Sequence, residues 1–363
     1  MLNIYWSWIL LLICLLPFDK QTNLKPNFKN LIILTFFSFL LFFIGFRYES
    51  VDYGGYKIIF DSISFESINF PQFKNIADNI SIEFIFGFLI SIFKELNFSF
   101  YSFIFIFSLI SLSIKFFFIK KYSPYFFLSS LLFFAFLIGK DMGQIRNAMI
   151  AGILLFAIFP LIKRNFLIYI SIVLIASGIQ IFALIALPIY WLYPYLTNKK
   201  IVFYVLLLSF VIFLLGGIFH YLAPLSSFLG THIHDKITIY INSRGAIPLN
   251  INTLSLIFFA LLFTFIKEYY IEKKSFYEGL FTFYIYSVSI FLICSDLSII
   301  SSRIIDSLGS MALIILIPFL INKIESTKIK IIAYGLIVCF CIMRFIPMVK
   351  NMENYQNIFL INH

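Results

Sequence analysis

The residues in this chain that are best suited to chemistry are arginines and carboxylates that adjoin long apolar segments. Arg47 is the first charged residue after the apolar run 31–46, and Asp52, Tyr53 and Tyr56 follow it within GFRYESVDYGGY. A guanidinium binds phosphate through two parallel hydrogen bonds, which lysine cannot do. This polar stretch therefore suggests a site for an anionic substrate, although an ordinary membrane span that ends in an aromatic belt has a similar pattern.

Two further arginines stand near the start of apolar segments. Arg146 follows Asp141 and begins IRNAMIAGILLFAI, in which small residues such as Gly152 permit close helix packing. An arginine inside such a bundle costs about 3 kcal/mol unless it is paired or functional. Arg303 has Asp306 three positions later, on the same helix face. Arginines converging at one membrane surface would suit a lipid-linked pyrophosphate, whereas interfacial Arg–Asp pairs that hold helices together are the simpler alternative.

Two carboxylates complete this set of candidates. Asp52 lies in the polar stretch and Glu83 lies in SIEFIFGF. A carboxylate at this surface could take a proton from a sugar hydroxyl, or it could serve as the partner of an arginine. We predict catalytic roles for Arg146, Arg303, Asp52 and Glu83, and substrate-binding roles for Arg47, Tyr53, Tyr56 and Asp141.

The composition requires a membrane. Hydrophobic residues make up 61% of the 363 residues and charged residues only 12%, against about 25% charged in soluble domains. Because apolar runs of helix-spanning length recur from end to end, we predict an all-α polytopic protein with about 12 transmembrane helices. The whole chain, 1–363, would be one integral membrane domain with outer-face loops at 47–80 and 223–250. The spans are placed at about 2–18, 29–46, 98–119, 123–139, 144–162, 165–179, 181–196, 201–222, 251–267, 276–295, 303–322 and 328–346.

Lysines and arginines set the predicted orientation. Basic clusters recur between the spans, and the positive-inside rule places them on the cytoplasmic side. The short segment 81–96 then becomes a re-entrant or interfacial helix that returns to the outer face, and both termini lie outside. The net charge of +10 is thus a topology signal, not a nucleic-acid footprint. The clusters are Lys20/Lys25/Lys29, Lys115/Lys120/Lys121, Lys163/Arg164, Lys199/Lys200, Lys267/Lys273/Lys274 and Lys323/Lys328/Lys330.

Other chemistries find little support in the sequence. His232 and His234 resemble half of a metal site, but no zinc-like ligand set accompanies them. No glycine-rich phosphate loop, nucleophile elbow or HExxH motif is present. We therefore predict no metal and no cofactor. No charge is expected in the middle of any assigned span, which weakens the interpretation as an ion-coupled transporter.

In order and spacing, these motifs resemble the EpsG family of Wzy-type polysaccharide polymerases. The resemblance rests on FRYESVDYGGYKIIF (46–60), on the element EFIFGF that begins at Glu83, on IRNAMIAGILLFAIFPLIKRN (145–165), on LIASGIQIFALIALPIYWL (174–192) and on SSRIIDSLGSMALIILIPFLI (301–321). It extends over about residues 1–350. The sequence departs from the family pattern at Gln180, where the family usually has a histidine. Glutamine cannot act as a general base but can hydrogen-bond a sugar or a phosphate, so we predict that Gln180 binds substrate.

The resemblance implies a GT-C-like membrane glycosyltransferase. It would transfer a glycan from polyprenyl pyrophosphate to a second lipid-linked repeat unit at the outer face of the bacterial cytoplasmic membrane, as in O-antigen, capsule or exopolysaccharide synthesis. Implied partners are the polyprenyl-pyrophosphate-linked oligosaccharide, membrane lipids, a chain-length regulator and a flippase, with no nucleic acid. An O-antigen ligase-like transferase and a flippase or exporter of the lipid-linked unit remain alternatives.

Overall fold

Helices account for almost all of the regular structure, as the apolar runs predict. A computed structural model of the protein describes residues 4–19, 26–48, 50–63, 82–221, 246–351 and 356–357. The first helices are α1 (Ile4–Leu15), α2 (Pro26–Gly45), α3 (Tyr53–Ser62), α4 (Phe84–Glu95), α5 (Phe100–Tyr122), α6 (Phe126–Phe136), α7 (Ile138–Met142), α8 (Ile145–Ile162) and α9 (Phe166–Ser177). They are followed by α10 (Ile189–Leu196), α11 (Lys199–Leu214), α12 (Ile251–Tyr270), α13 (Phe276–Ile293), α14 (Ser298–Ile304), α15 (Ser310–Lys323) and α16 (Thr327–Asn351).

Shorter elements interrupt this helical pattern. Segments of 3-10 helix cover Leu16–Asp19 and Ile181–Ala186, and a π-helix covers Ile305–Gly309. Two strands of two residues each, β1 (Arg47–Tyr48) and β2 (Gln356–Asn357), pair antiparallel. This pairing fixes the polar stretch after α2 against a segment near the end of the chain.

The chain is an all-α polytopic membrane protein, as predicted. Seven stretches among the described residues are long and apolar enough to cross a bilayer. Every predicted span contains a helix, but several of these helices are short. The helix α4 has 12 residues, which is about 18 Å and less than the roughly 30 Å of a hydrocarbon core. This length is consistent with the re-entrant or interfacial helix predicted for 81–96, while the total of about 12 spans stays a prediction.

The chain groups into two compact units. The first contains Met1–Ile153, Leu174–Ala183 and Ile317–His363, and the second contains Leu154–Val173 and Leu184–Leu316. That the whole chain forms one membrane domain remains a prediction. Of the predicted outer loops 47–80 and 223–250, residues 49, 64–80 and 223–245 lie outside the described residues.

Aromatic side chains fill the core of the first unit. α6 packs against both α1 and α16, and α2 packs along α5. Trp8 of α1 contacts Phe36, Phe43 and Phe134 with ring centres 5.2 to 6.0 Å apart. Gly152 in α8 faces Ile114 so closely that an added Cβ would lie 3.1 Å from it. The small residues of α8 therefore do allow close packing, as the sequence predicts.

The second unit is built around α13. This helix packs against α11, α12 and the π-helix. Gly279 lies against Ile158, where a Cβ would come within 2.3 Å of the isoleucine side chain. Gly309, at the end of the π-helix, lies in the same way against Ser287. Both contacts require the absence of a side chain, so the glycines set how closely these helices approach.

One carboxylate of the first unit serves as a helix cap from a distant part of the chain. Asp19, which is buried, accepts hydrogen bonds from the backbone N–H groups of Phe127 and Leu128 at 2.9 Å each. Tyr334 of α16 also donates to it, at 3.3 Å. Asp19 thereby satisfies donors at the start of α6 that have no partner within the helix.

We expect Asp19→Ala to destabilise the protein by about 2 kcal/mol, because it leaves two buried N–H groups without acceptors. Asp19→Asn should cost less, since the amide oxygen still accepts one bond. Thermal unfolding of the purified protein in detergent measures both. Asp61→Ala, which removes an exposed acid from α3, is the control and should change stability by less than about 0.5 kcal/mol. Equal losses for Asp19→Ala and Asp61→Ala would contradict the capping role.

Candidate functional site

An ion pair between Arg146 and Glu83 lies at the centre of the candidate site. Arg146 belongs to the first turn of α8, and Glu83 directly precedes α4 in extended conformation. Arg146 Nη1 donates to Glu83 Oε2. The two side chains are 20% and 14% exposed, so the pair is largely enclosed yet open to a ligand. Both residues were predicted to be catalytic, and the structure brings them together.

The second carboxylate oxygen of Glu83 is held by the backbone. Ile181 N–H donates to Glu83 Oε1 at 3.0 Å, and Phe86 N–H donates to the carbonyl of Gly178 at 3.0 Å. A side chain at Gly178 would collide with Ile85. These two hydrogen bonds join the turn after α9 to the start of α4, and they fix the position of Glu83. Gln180, the predicted substrate-binding residue in this turn, is buried and directly precedes Ile181.

Two aromatic rings form a platform beneath the arginine. The guanidinium carbon of Arg146 lies 5.3 Å from the ring centre of Phe86 and 5.8 Å from that of Tyr56. The two rings meet edge to face at 6.0 Å. Cation–π contacts of this kind hold a guanidinium in place. Burial raises the pKa of Tyr56, with Arg146 opposing the shift, so this predicted substrate-binding residue stays a neutral hydroxyl at physiological pH.

Arg146 also retains hydrogen-bonding capacity. Its Nε–H is buried and has no hydrogen-bond partner among the described residues. A cation with an N–H group to spare, held by aromatic rings and one carboxylate, is suited to receiving an oxyanion.

The polar stretch after α2 lies in the same unit but has a different character. Arg47, predicted to bind substrate, is 1% exposed, and its Nη1 donates to the carbonyl of Ile44 at 2.5 Å. Tyr53 is also buried and meets Phe100 edge to face at 5.1 Å. Asp52 is exposed in the left-handed region at φ 66°. Arg47 and Tyr53 thus pack inside the unit, while Asp52 remains accessible; their functional roles stay predictions.

Asp141, predicted to bind substrate, is held in a buried ion pair. Lys115 Nζ donates to Asp141 Oδ1 at 2.5 Å, and Ser111 Oγ donates to the same oxygen at 3.0 Å. The lysine and aspartate side chains are 0% and 2% exposed. Asp141 is therefore engaged within the unit, and a direct contact with substrate stays a prediction.

This pair corrects one prediction from the sequence. Lys115 is not part of a basic cluster that faces water, because it is fully buried inside α5. Lys115 is seven residues from the end of that 23-residue helix, and the expectation that no charge lies in the middle of a span stays a prediction. Its sequence position beside Lys120 and Lys121 hides this difference. The sequence signal for such a buried lysine is its position one to two turns inside the end of an apolar helix.

Arg303 belongs to the second unit. It lies in the last turn of α14 and is partly exposed, and Asp306 follows in the π-helix and is buried. Single-turn π-helices often occur at functional sites, because the extra residue shifts the side chains that follow it. The π-helix was not predicted, since its residues have ordinary helix-forming character. The predicted catalytic role of Arg303 remains untested by these contacts.

The residues described contain no group of three or more histidine, cysteine or acidic side chains arranged to hold a metal ion. The cation described in the candidate site is the Arg146 guanidinium. A guanidinium can stabilise negative charge on a leaving group without a metal.

A comparison with models of protein families finds a match for this chain. The model of the EpsG family matches residues 30–361, which includes every residue named as part of the candidate site. No curated protein and no solved structure matches the chain.

The Lys115–Asp141 pair provides a test of how the site region is held together. Lys115→Met should destabilise the protein by about 3–5 kcal/mol, because it leaves a carboxylate buried without its partner. Asp141→Leu should do the same by isolating the lysine. The double variant Lys115→Met/Asp141→Leu should regain at least half of the stability that either single variant loses. Thermal unfolding in detergent measures the stability of all three variants. Losses that simply add in the double variant would show that the two side chains are not coupled.

Proposed function

The chain belongs to the EpsG family, and on this basis we propose that it is a membrane glycosyltransferase that polymerises lipid-linked oligosaccharide repeat units. The donor would be a glycan on polyprenyl pyrophosphate, and the acceptor would be the terminal sugar of a second lipid-linked unit. The reaction would need no metal and no cofactor.

The observation that carries this proposal is the geometry of Arg146. A guanidinium at the start of a candidate span is held over Phe86 and Tyr56, paired with Glu83, and left with a buried Nε–H that no described residue accepts. These features supply a positioned cation, Arg146, and an adjacent carboxylate, Glu83. A pyrophosphate leaving group requires the cation, and the carboxylate assists an attacking hydroxyl.

The proposed reaction is a displacement at the anomeric carbon of the donor. The acceptor hydroxyl oxygen forms a bond to that carbon while the bond to the pyrophosphate oxygen breaks, and the electron pair leaves with the lipid pyrophosphate. Arg146 stabilises the negative charge that grows on this leaving group. The hydroxyl proton passes to a carboxylate, for which Glu83 is the best-placed residue and Asp52 the alternative.

The ion pair links the two proposed roles. A pyrophosphate that binds Arg146 competes with Glu83 for the guanidinium, because both are oxyanions. Glu83 would then retain its hydrogen bond from Ile181 N–H and have an oxygen available for the acceptor hydroxyl. Donor binding would thus prepare the carboxylate for its task.

The remaining predicted residues have supporting roles in this proposal. A catalytic role for Arg303 stays a prediction. Tyr56, whose ring centre lies 5.8 Å from the Arg146 guanidinium carbon, and Gln180, which directly precedes Ile181, would orient the sugars. Three predicted residues are buried and would support the site indirectly, by fixing the conformation of the segments in which they lie. They are Arg47, Tyr53 and Asp141.

The proposed location is the bacterial cytoplasmic membrane, with the site at its outer face. The positive-inside pattern supports about 12 spans with both termini outside. In that arrangement Arg146 lies at the outer end of α8 and the basic turn Lys163–Arg164 at its inner end. The proposed partners are those of a polymerisation pathway: a flippase that delivers the lipid-linked unit and a regulator of chain length.

Substitution of the arginines tests the pyrophosphate role. Arg146→Lys should abolish the ladder of polymerised surface glycan, while acceptors that carry a single repeat unit remain. The reason is that lysine keeps the positive charge but cannot form the two parallel hydrogen bonds of a guanidinium. We expect the same of Arg303→Lys. Arg344→Lys is the control, because Arg344 donates to the carbonyl of Ala135 and has no proposed part in the reaction. Wild-type ladders from both Arg146→Lys and Arg303→Lys would reject the proposed role.

The same assay distinguishes the alternative functions. A strain that lacks the protein should retain single capped units if the protein is a polymerase. Loss of all surface glycan, with the lipid-linked unit accumulating on the cytoplasmic side, would instead indicate a flippase. Loss of finished glycan from its final acceptor, with polymer retained on the lipid, would indicate a ligase.

Replacement of the carboxylate tests the proton-transfer role. Glu83→Gln keeps an oxygen acceptor for Ile181 N–H but removes the base, so we expect polymerisation to fall by about 10²-fold or more with the protein still inserted in the membrane. Purified protein and a lipid-linked donor and acceptor would give the rate directly. Asp61→Asn, at an exposed acid of α3, should leave the rate unchanged. A Glu83→Gln rate near that of the wild type would move the proton-accepting role to Asp52.

A further inference from the structure

A large open cavity lies in the second unit, formed by the turns that join α10 to α11 and α12 to α13. Its volume is about 1270 Å³. It is separate in sequence from every residue of the proposed glycan site. Five lysines line it: Lys199, Lys200, Lys267, Lys273 and Lys274. The positive-inside pattern assigns these lysines to the cytoplasmic face.

The acid at the base of this cavity is already neutralised. Glu278 forms an ion pair with Lys267 at 3.1 Å and accepts hydrogen bonds from Tyr193 Oη at 2.8 Å and from the Lys274 backbone N–H at 2.6 Å. Its carboxylate is therefore enclosed by donors and does not oppose an incoming anion. Glu268 is the remaining acid of the lining, so the four lysines other than Lys267 leave a local excess of positive charge.

Aromatic side chains form the other wall of the cavity. Phe203, Tyr204 and Phe265 all line it and are 40%, 67% and 51% exposed. Lys199 Nζ lies 5.5 Å from the ring centre of Phe265, so the basic and aromatic parts are contiguous. A free phosphate compound needs only the cations. A ligand that carries both a phosphate and an acyl chain would use both walls.

We propose that this cavity binds the phosphate headgroup of an anionic phospholipid from the inner leaflet. The lysines contact the headgroup, and the exposed aromatic residues contact the upper part of the acyl chains. The lipid would hold the two turns together and stabilise the second unit. This site is independent of the glycan chemistry proposed above.

Binding of phosphatidylglycerol to the full-length protein tests this proposal. The purified protein in detergent is titrated with phosphatidylglycerol, with phosphatidylcholine and with inorganic phosphate, and binding is followed by native mass spectrometry and by the rise in unfolding temperature. Phosphatidylglycerol should bind and raise the unfolding temperature, and the other two should do so at least tenfold more weakly. Inorganic phosphate that binds as well as the lipid would show a free-phosphate site and overturn the proposal, as would equal binding of phosphatidylcholine.

A charge-matched pair of variants locates the binding. The triple variant Lys200→Gln/Lys273→Gln/Lys274→Gln removes three exposed lysines of the cavity and should weaken phosphatidylglycerol binding at least tenfold. The control Lys120→Gln/Lys163→Gln/Lys328→Gln removes three exposed lysines elsewhere and should weaken it less than twofold. Equal weakening in both triples would show diffuse attraction and overturn the proposal. The lipid comparison on the wild-type protein decides the matter if a variant does not fold.

Discussion

A charged side chain among apolar helices is stable only when another element supplies its partner, and the candidate site depends on one such pairing. Arg146 belongs to a helix that begins in an apolar bundle, and its partner Glu83 comes from a residue that precedes a separate short helix. The contact of Glu83 with Ile181 N–H extends the dependence to a third segment. The ion pair therefore determines how three segments, far apart in the chain, meet at one place.

The degree of enclosure separates this pair from the others. The described residues contain three ion pairs, and two of them are almost closed: Lys115–Asp141 at 0% and 2% exposure, and Lys267–Glu278 at 7% and 4%. The side chains of Arg146 and Glu83 are 20% and 14% exposed. A closed pair can only stabilise packing, because a ligand that separated it would leave a buried charge. A partly open pair can exchange one partner for a substrate, and this is the property that a binding site needs.

The sequence predicts the class of fold well, because the alternation of apolar runs and basic turns is a direct consequence of bilayer thickness and charge. It also identifies Arg146 and Glu83 separately, as charges that an apolar neighbourhood must accommodate. It does not predict that the two are partners, since they are 63 positions apart along the chain. It assigns Lys115 to the wrong environment, because a lysine near a helix end has the same sequence context whether it faces water or a buried aspartate. The π-helix before Ser310 has no local signature at all.

The aromatic platform adds a constraint that the sequence alone does not reveal. Tyr56 and Phe86 come from different helices, yet both rings lie under the Arg146 guanidinium. The ring centres lie 5.8 and 5.3 Å from the guanidinium carbon, within the range of cation–π attraction. If a pyrophosphate oxygen replaces Glu83 as the partner of Arg146, the two rings still hold the guanidinium in position. The guanidinium therefore need not move when negative charge develops on the leaving group. Preorganisation of this kind, and not the number of cations alone, is what allows a charged group to favour the transition state over the bound substrate.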